Sequence, residues 1–151
     1  MKGKTVNLHK RFTLSLGLVA LLGITAVGAS AETVMKGTFS LPVEAYWGNT
    51  RLPAGGYTLA LNKEVTGINT VVVRGDGVAA TFIAPAGPEE ISTRSCLKVD
   101  EINGAYVIRE LDAGSLGKSY KFGVTKAVRN MTLRGSAGQP VAVPVSDNGG
   151  L

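Results

Sequence analysis

Residues 35–61, MKGTFSLPVEAYWGNTRLPAGGYTLAL, decide the fold, because apolar side chains recur at every second position over most of this stretch. In its first half, one parity is apolar or small: Met35, Gly37, Phe39, Leu41, Val43, Ala45 and Trp47. The other parity is mostly polar, and such alternation predicts a half-buried β-strand. Pro42 cannot donate a ladder hydrogen bond, so the strand should break there or lie at a sheet edge.

The second half of the stretch predicts a chain reversal followed by another strand. Pro53 fixes its own φ, and the glycines at 55 and 56 permit backbone conformations that other residues avoid. Tyr57, Leu59 and Leu61 then follow at alternate positions, so they should face the core.

Outward from this stretch, short β-rich runs alternate with turn residues. Two hairpins are predicted, one at Gly75-Asp76-Gly77 and one at Asn103-Gly104, because both turns offer residues that tolerate positive φ. The remaining expectations are a polar loop at 85–90, a strand at 118–124, a strand or one short helix at 126–135, and an edge strand or extended arm at 140–145.

About eight strands at short spacing predict an all-β fold, either a single antiparallel β-sandwich or a small β-barrel. The sequence leaves that choice open. The domain is expected to span residues 32–145, with a flexible tail at 146–151. A chain of this size can bury one core without help from a disulfide.

The first 31 residues have the features of a cleaved secretory signal peptide. A positive region is followed by a mostly apolar run at 12–28 and by the small-x-small sequence Ala29-Ser30-Ala31. We therefore expect a signal-peptide helix that is removed by cleavage between Ala31 and Glu32. The mature protein would be exported to the periplasm or the extracellular space, with no transmembrane segment left after cleavage.

Loss of the signal peptide excludes several classes of function. His9, the only histidine, is removed, so a Ser-His-Asp triad and a histidine-ligated metal site are excluded within one mature chain. Four positive residues leave as well, which lowers the formal net charge from +5 to about +1. The sequence therefore predicts no cofactor, no metal and no nucleic-acid partner.

Cys96 is the only cysteine, so it cannot form a disulfide within one chain or build a cysteine metal site. Its place in a strand-like run predicts a buried, inert thiol. A disulfide between two chains is the other possibility that the sequence leaves open.

Three aromatic residues are the candidate ligand site. Exposed on one plane, Tyr46, Trp47 and Tyr57 would stack on a saccharide or a small apolar molecule. The alternative is that Trp47 and Tyr57 pack in the core, and the inward parity of Trp47 favours it.

Paired carboxylates are the only enzymatic chemistry left, because glycoside hydrolysis needs two acids on opposite sides of a sugar. The available pairs are Glu89-Glu90, Asp100-Glu101 and Glu110/Asp112. Each pair is expected in or beside a loop, where solvated carboxylates are common. No catalytic residue is assigned.

Three elements in the chain are Phe39-Ser40-Leu41-Pro42, Trp47-Gly48 and the LPAGGY of residues 52–57. In these elements, and over roughly residues 37–125, the chain resembles a group of small exported β-rich bacterial proteins best known from acidobacterial genomes. The resemblance implies an exported β-domain. It implies no reaction and no functional residues.

These features predict an exported, non-enzymatic β-domain with a structural or interaction role in the bacterial envelope or the extracellular space. The alternative is a module that binds a saccharide or a small apolar molecule, and a carboxylate-based hydrolase ranks third. An envelope component, a saccharide and a protein all remain open as partners.

Overall fold

A computed structural model describes residues 31–75, 77–89, 93–126, 129–130 and 138–148. This part of the chain is all-β, with twelve strands in two sheets and no closed barrel. The all-β expectation is confirmed, and the open choice is resolved in favour of a β-sandwich. More strands are present than the eight expected, because several have only three or four residues and show no alternation.

The first sheet is built from five antiparallel strands. They are β1 (Glu32–Leu41), β4 (Gly55–Lys63), β5 (Asn69–Gly75), β6 (Val78–Ile83) and β12 (Ser146–Asn148). Their order across the sheet is β12-β1-β4-β5-β6, so β6 and β12 are its edges.

The second sheet has seven strands. They are β2 (Ala45–Trp47), β3 (Thr50–Leu52), β7 (Ala86–Glu89), β8 (Cys96–Ile102), β9 (Ala105–Ala113), β10 (Lys118–Lys121) and β11 (Val141–Pro144). The main order is β11-β8-β9-β10-β7. The short strand β2 runs parallel to the first half of β9 and also pairs with β3.

Pro42 is the point at which the chain crosses from one sheet to the other. β1 ends at Leu41, and β2 begins in the second sheet three residues after Pro42. The expected break is confirmed, because proline has no amide hydrogen with which to continue the ladder. β1 itself is not an edge, since it lies between β12 and β4. Val43 is 42% exposed because it lies in this crossover.

Both predicted hairpins are confirmed. β8 and β9 are joined by Asn103 (φ 52°) and Gly104 (φ 78°), and two positive φ values are what a type I′ turn requires. β5 and β6 pair without a register shift around Gly75 and Gly77. Asp76, between those glycines, lies outside the described residues.

Two expectations about connecting segments are wrong. The predicted polar loop contains β7, whose residues pair with β10. The predicted flexible tail at 146–151 begins with β12, which pairs with residues 36–38 of β1. Neither strand has a recognisable local pattern, because each is ordered by a partner far away in sequence. Residues 149–151, and residues 1–30 of the predicted signal peptide 1–31, lie outside the described residues. The first described strand begins at Glu32.

A hydrogen-bonded serine helps to hold β12 in place. The Ser95 hydroxyl donates to Asp147 Oδ2 at 2.6 Å and accepts the amide hydrogen of Gly114 at 2.9 Å. Hydrogen bonds from Ser95 and Ser115 lower the pKa of the Asp147 carboxyl below its usual value. The carboxylate is therefore ionised and bonded at neutral pH, which ties the end of the domain to the start of β8.

Residues 126–135, left open as strand or helix, are helical where the structure describes them. Lys126, Arg129 and Asn130 are helical, and the Arg129 amide donates to the Thr125 carbonyl at 2.8 Å. Within the described ranges, no helix combines the length and apolarity needed to cross a bilayer.

Candidate functional sites

Trp47 lies at the centre of the core between the two sheets and has 0% exposure. Its ring stacks on Phe82 at a centroid distance of 4.8 Å and meets Phe122 edge-on at 4.7 Å. Tyr57 is also buried, stacks on Phe39 at 5.4 Å, and donates its hydroxyl to the Pro53 carbonyl at 2.8 Å. The alternative that these two side chains pack in the core is confirmed.

Tyr46 is separated from the other two candidate ligand residues. It is half-buried in a small cluster with Ile102, Val107 and Val124. Adjacent residues of β2 point to opposite faces of the sheet, so Tyr46 faces outward where Trp47 faces the core. The three rings therefore share no exposed plane. Ligand stacking through them stays a prediction, and it would require Trp47 to leave the core.

Glu110 and Asp112 lie within β9, close to its end at Ala113. Lys98 Nζ is 3.4 Å from Glu110 Oε1 and 3.2 Å from Asp112 Oδ2. The Cys96 thiol donates to Asp112 Oδ2 at 3.6 Å. These four residues, here called the Lys98 cluster, lie on neighbouring positions of β8 and β9.

The electrostatics of the Lys98 cluster favour a fixed ion pair. Burial acts to lower the pKa of Lys98, but hydrogen bonds and charges from Asp112 and Glu110 raise it above its usual range. Burial, together with the Asp112 charge, raises the pKa of the Cys96 thiol. Cys96 is half-buried, so the expectation of burial is met only in part, and the thiol stays protonated at neutral pH.

This arrangement does not resemble a pair of catalytic acids. Both carboxylates are two positions apart on one strand and bind one ammonium group, whereas glycoside hydrolysis needs acids on opposite sides of a substrate. Asp112 is 5% exposed, and its Oδ1 is buried without a hydrogen-bond partner. In the described part of the chain, no group of three or more acidic, cysteine or histidine side chains could hold a metal ion.

The other acidic pairs are not brought together either. Glu89 is exposed on the edge strand β7, and Glu90 lies outside the described residues. Asp100 and Glu101 are consecutive on β8, so their side chains point to opposite faces of the sheet.

A depression of about 420 Å³ lies on the outer face of the five-stranded sheet. The sequence pattern did not identify the residues that line it. We call this surface the polar face. It is lined by Thr33, Lys36, Gly37, Thr38, Thr58, Leu59, Ala60, Asn62, Val72, Arg74 and Asn148. The lining carries hydroxyl and amide groups, two cations and no carboxylate.

The strand register places these side chains in rows across the sheet. Lys36 stands opposite Ala60, and Ala60 stands opposite Val72. Two residues further along each strand, a second row places Thr38 opposite Thr58 and Thr58 opposite Arg74. The two cations are thus two strands and two residues apart, roughly 12 Å between Cα atoms from standard strand spacings. Small side chains form the floor between them.

Among the described residues, no carboxylate forms an ion pair with either cation of the polar face. Within the described part of the chain, ion pairs join Arg51 to Glu44 and Lys98 to Glu110 and Asp112, and none involves Lys36 or Arg74. The polar parity of β1 was visible in the sequence, but the meeting of the two cations across Thr58 and Ala60 depends on register.

Of the three groups, only the polar face combines accessibility with unpaired charge. Trp47 and Tyr57 are core residues, and both carboxylates of the Lys98 cluster already bind the Lys98 ammonium group. Comparison of the chain with models of protein families, with curated proteins and with solved structures found no match.

Proposed function

We propose that this protein is an exported, non-enzymatic β-sandwich that binds an acidic saccharide of the bacterial envelope or extracellular space on its polar face. The observation that supports the proposal is a depression of about 420 Å³ lined by hydroxyls, amides and two unpaired cations, with no acid among the lining residues. This is the saccharide-binding alternative of the sequence analysis, moved from the aromatic residues to the outer face of the first sheet.

The lining chemistry favours an acidic saccharide over other small molecules. Threonine hydroxyls and asparagine amides both donate and accept hydrogen bonds, as sugar hydroxyls do. The Arg74 guanidinium can bind a carboxylate through two parallel hydrogen bonds, and Lys36 supplies a second positive charge. An apolar ligand would leave these polar groups without partners, at a cost in binding free energy.

The same lining supports a binding role without catalysis. It includes no carboxylate, histidine or cysteine that could act as a general base or nucleophile. The Lys98 cluster lies on the other sheet, and its carboxylates are already paired with an ammonium group.

Binding is tested with the mature chain, residues 32–151, and oligogalacturonate as the acidic probe. We expect oligogalacturonate to bind and an uncharged glucan of equal length to bind far more weakly. The double variant Lys36→Ala/Arg74→Ala should lose about tenfold or more in affinity, because two charge-assisted contacts are removed. Isothermal titration calorimetry at low and high salt measures both effects, and salt should weaken the wild-type interaction.

The matched control is Lys118→Ala/Lys121→Ala, which removes the same charge from exposed positions of β10 in the other sheet. It should keep wild-type affinity. Equal losses in both double variants would indicate a general charge effect and contradict a site on the polar face, as would the absence of binding to the acidic probe. Hydrolysis of ester, glycoside or peptide substrates by the pure protein would contradict the non-enzymatic role.

Export is tested by expressing the full chain in a bacterium and sequencing the N-terminus of the protein recovered outside the cytoplasm. We expect the recovered chain to begin at Glu32. The variant Ala29→Arg/Ala31→Arg should block cleavage, because signal peptidase sites need small residues at those two positions. Recovery of the wild-type chain in the cytoplasm with residues 1–31 intact would contradict export.

A further inference from the structure

The edge strands of the two sheets differ in how they are protected against pairing with a strand of another chain. β7, β11 and β12 have three or four residues each, and β7 and β11 contain Pro88 and Pro144. β7 also has a register shift against β10. Short length, proline and irregular register are the features by which natural sheets prevent edge-to-edge pairing.

β6 has none of these protections. Its six residues, VAATFI, contain no proline and no charge, and they pair with β5 without a register shift. Ile83 at its end is 70% exposed. An uncharged, regular edge strand of this length is a template for another strand.

We propose that β6 pairs with β6 of a second copy of this chain, antiparallel and about a two-fold axis at Thr81. The two five-stranded sheets would then join into one continuous sheet. This proposal is independent of the saccharide site, since it depends only on the edge strand.

The hydrogen bonds of β6 define which residues are available at the open edge. The Ala84 amide donates to the Asn69 carbonyl of β5 at 2.8 Å. Because backbone groups alternate in direction along a strand, the even-numbered residues of β6 bond with β5. The amides and carbonyls of Ala79, Thr81 and Ile83 therefore point to the open edge.

Side-chain size favours one register for the second copy. Residues directly opposite each other in an antiparallel pair lie on the same face of the sheet. Centred on Thr81, the pairing places Ile83 opposite Ala79 and Phe82 opposite Ala80, so each large side chain meets a small one. Threonine meets threonine at the axis.

The same register also uses the most backbone groups. With Thr81 at the axis, the three residues that face the open edge pair with one another and form roughly six ladder hydrogen bonds. A register centred on Ala80 would form roughly four. Self-pairing places no like charges opposite each other, since β6 has no charged residue.

Sedimentation equilibrium of the mature chain, with a reducing agent to exclude a Cys96 disulfide, tests the proposal. We expect a monomer–dimer equilibrium. Thr81→Lys would place two ammonium groups at the axis and should weaken dimerisation by about tenfold or more. The variant should fold like the wild type, because the Thr81 side chain is exposed and its backbone groups point away from β5. Circular dichroism checks that the fold is intact.

Ser40→Lys is the matched control, since it adds the same charge on an exposed position of β1, far from β6. It should dimerise like the wild type. A monomer at every concentration, or a dimer that Thr81→Lys leaves unchanged, would overturn the proposal. A monomer that binds an unrelated extended peptide at β6 would also overturn it in favour of a different partner.

Hydrogen exchange gives a residue-level readout of the register. As protein concentration rises, the amides of Ala79, Thr81 and Ile83 should become protected, while those of Ala80 and Phe82 are already protected by β5. Concentration-dependent protection elsewhere, with none at Thr81, would place the interface outside β6.

The dimer has a consequence that rests on the proposed function. A two-fold axis perpendicular to the sheet places both polar faces on the same side, so one polymer could engage both copies. Thr81→Pro, which removes the edge amide at the axis without adding a cation beside Val72 of the polar face, should then weaken binding to long polygalacturonate and leave binding to a short oligomer unchanged. The sedimentation experiment uses no saccharide, so it distinguishes a failure of dimerisation from a failure of saccharide binding.

Discussion

Replacing Trp47 by alanine is expected to lower the free energy of unfolding by about 3–5 kcal/mol. The side chain has no exposed surface and contacts Phe82 and Phe122 at centroid distances below 5 Å. Its removal would leave a cavity between the two sheets and deprive Phe82 and Phe122 of their ring partner, and the hydrogen-bonded strands around the cavity can close only part of it. Urea unfolding followed by far-UV circular dichroism measures the loss, since the variant has no other tryptophan.

The neighbouring residue supplies the control. Tyr46→Ala removes a ring that is half-buried in the small outer cluster, so it should cost clearly less, about 1–2 kcal/mol. In the wild type, the emission of Trp47 should be blue-shifted and insensitive to saccharides. A loss below about 1 kcal/mol for Trp47→Ala would indicate that the ring is not held in the core. The stacking site of Tyr46, Trp47 and Tyr57 would then regain support.

Replacing Lys98 by methionine is expected to lower the free energy of unfolding by about 1–3 kcal/mol at neutral pH. The variant would leave the Asp112 carboxylate buried without its cation. One oxygen of that carboxylate, Oδ1, already lacks a hydrogen-bond partner. The value is below that for a fully buried pair because the Lys98 side chain is partly exposed to solvent. The raised pKa of Lys98 means that its stabilising effect is fully present at neutral pH and is lost only in strongly alkaline solution.

The double variant Lys98→Met/Asp112→Leu separates the ion pair from its environment. It should recover most of the lost stability, because the unpaired buried charge is gone and apolar groups fill similar space. Lys118→Met, an exposed lysine on β10, should change stability by less than about 0.5 kcal/mol. Equal stability of Lys98→Met and the wild type would show that Asp112 does not need this cation.

The sequence by itself determined the features that depend on neighbouring residues. The alternation of Tyr57, Leu59 and Leu61 predicts their inward faces, because successive side chains of a strand must point to opposite sides. Asn103-Gly104 predicts its hairpin, because few other residue pairs adopt two positive φ values. The break at Pro42 follows in the same way from a missing amide hydrogen.

Only the tertiary structure decided which distant segments meet. The strands β7 and β12 have no local pattern and exist through pairing with β10 and β1, so a loop and a tail were predicted in their place. The placement of Lys36 and Arg74 across one sheet face depends on the cross-strand register of β1, β4 and β5, and a shift of one residue would turn these side chains to the opposite face. Lys98 lies beside both carboxylates because the β8–β9 pairing shifts by one residue at Lys98, whereas the two-residue turn alone would place Lys98 opposite Arg109.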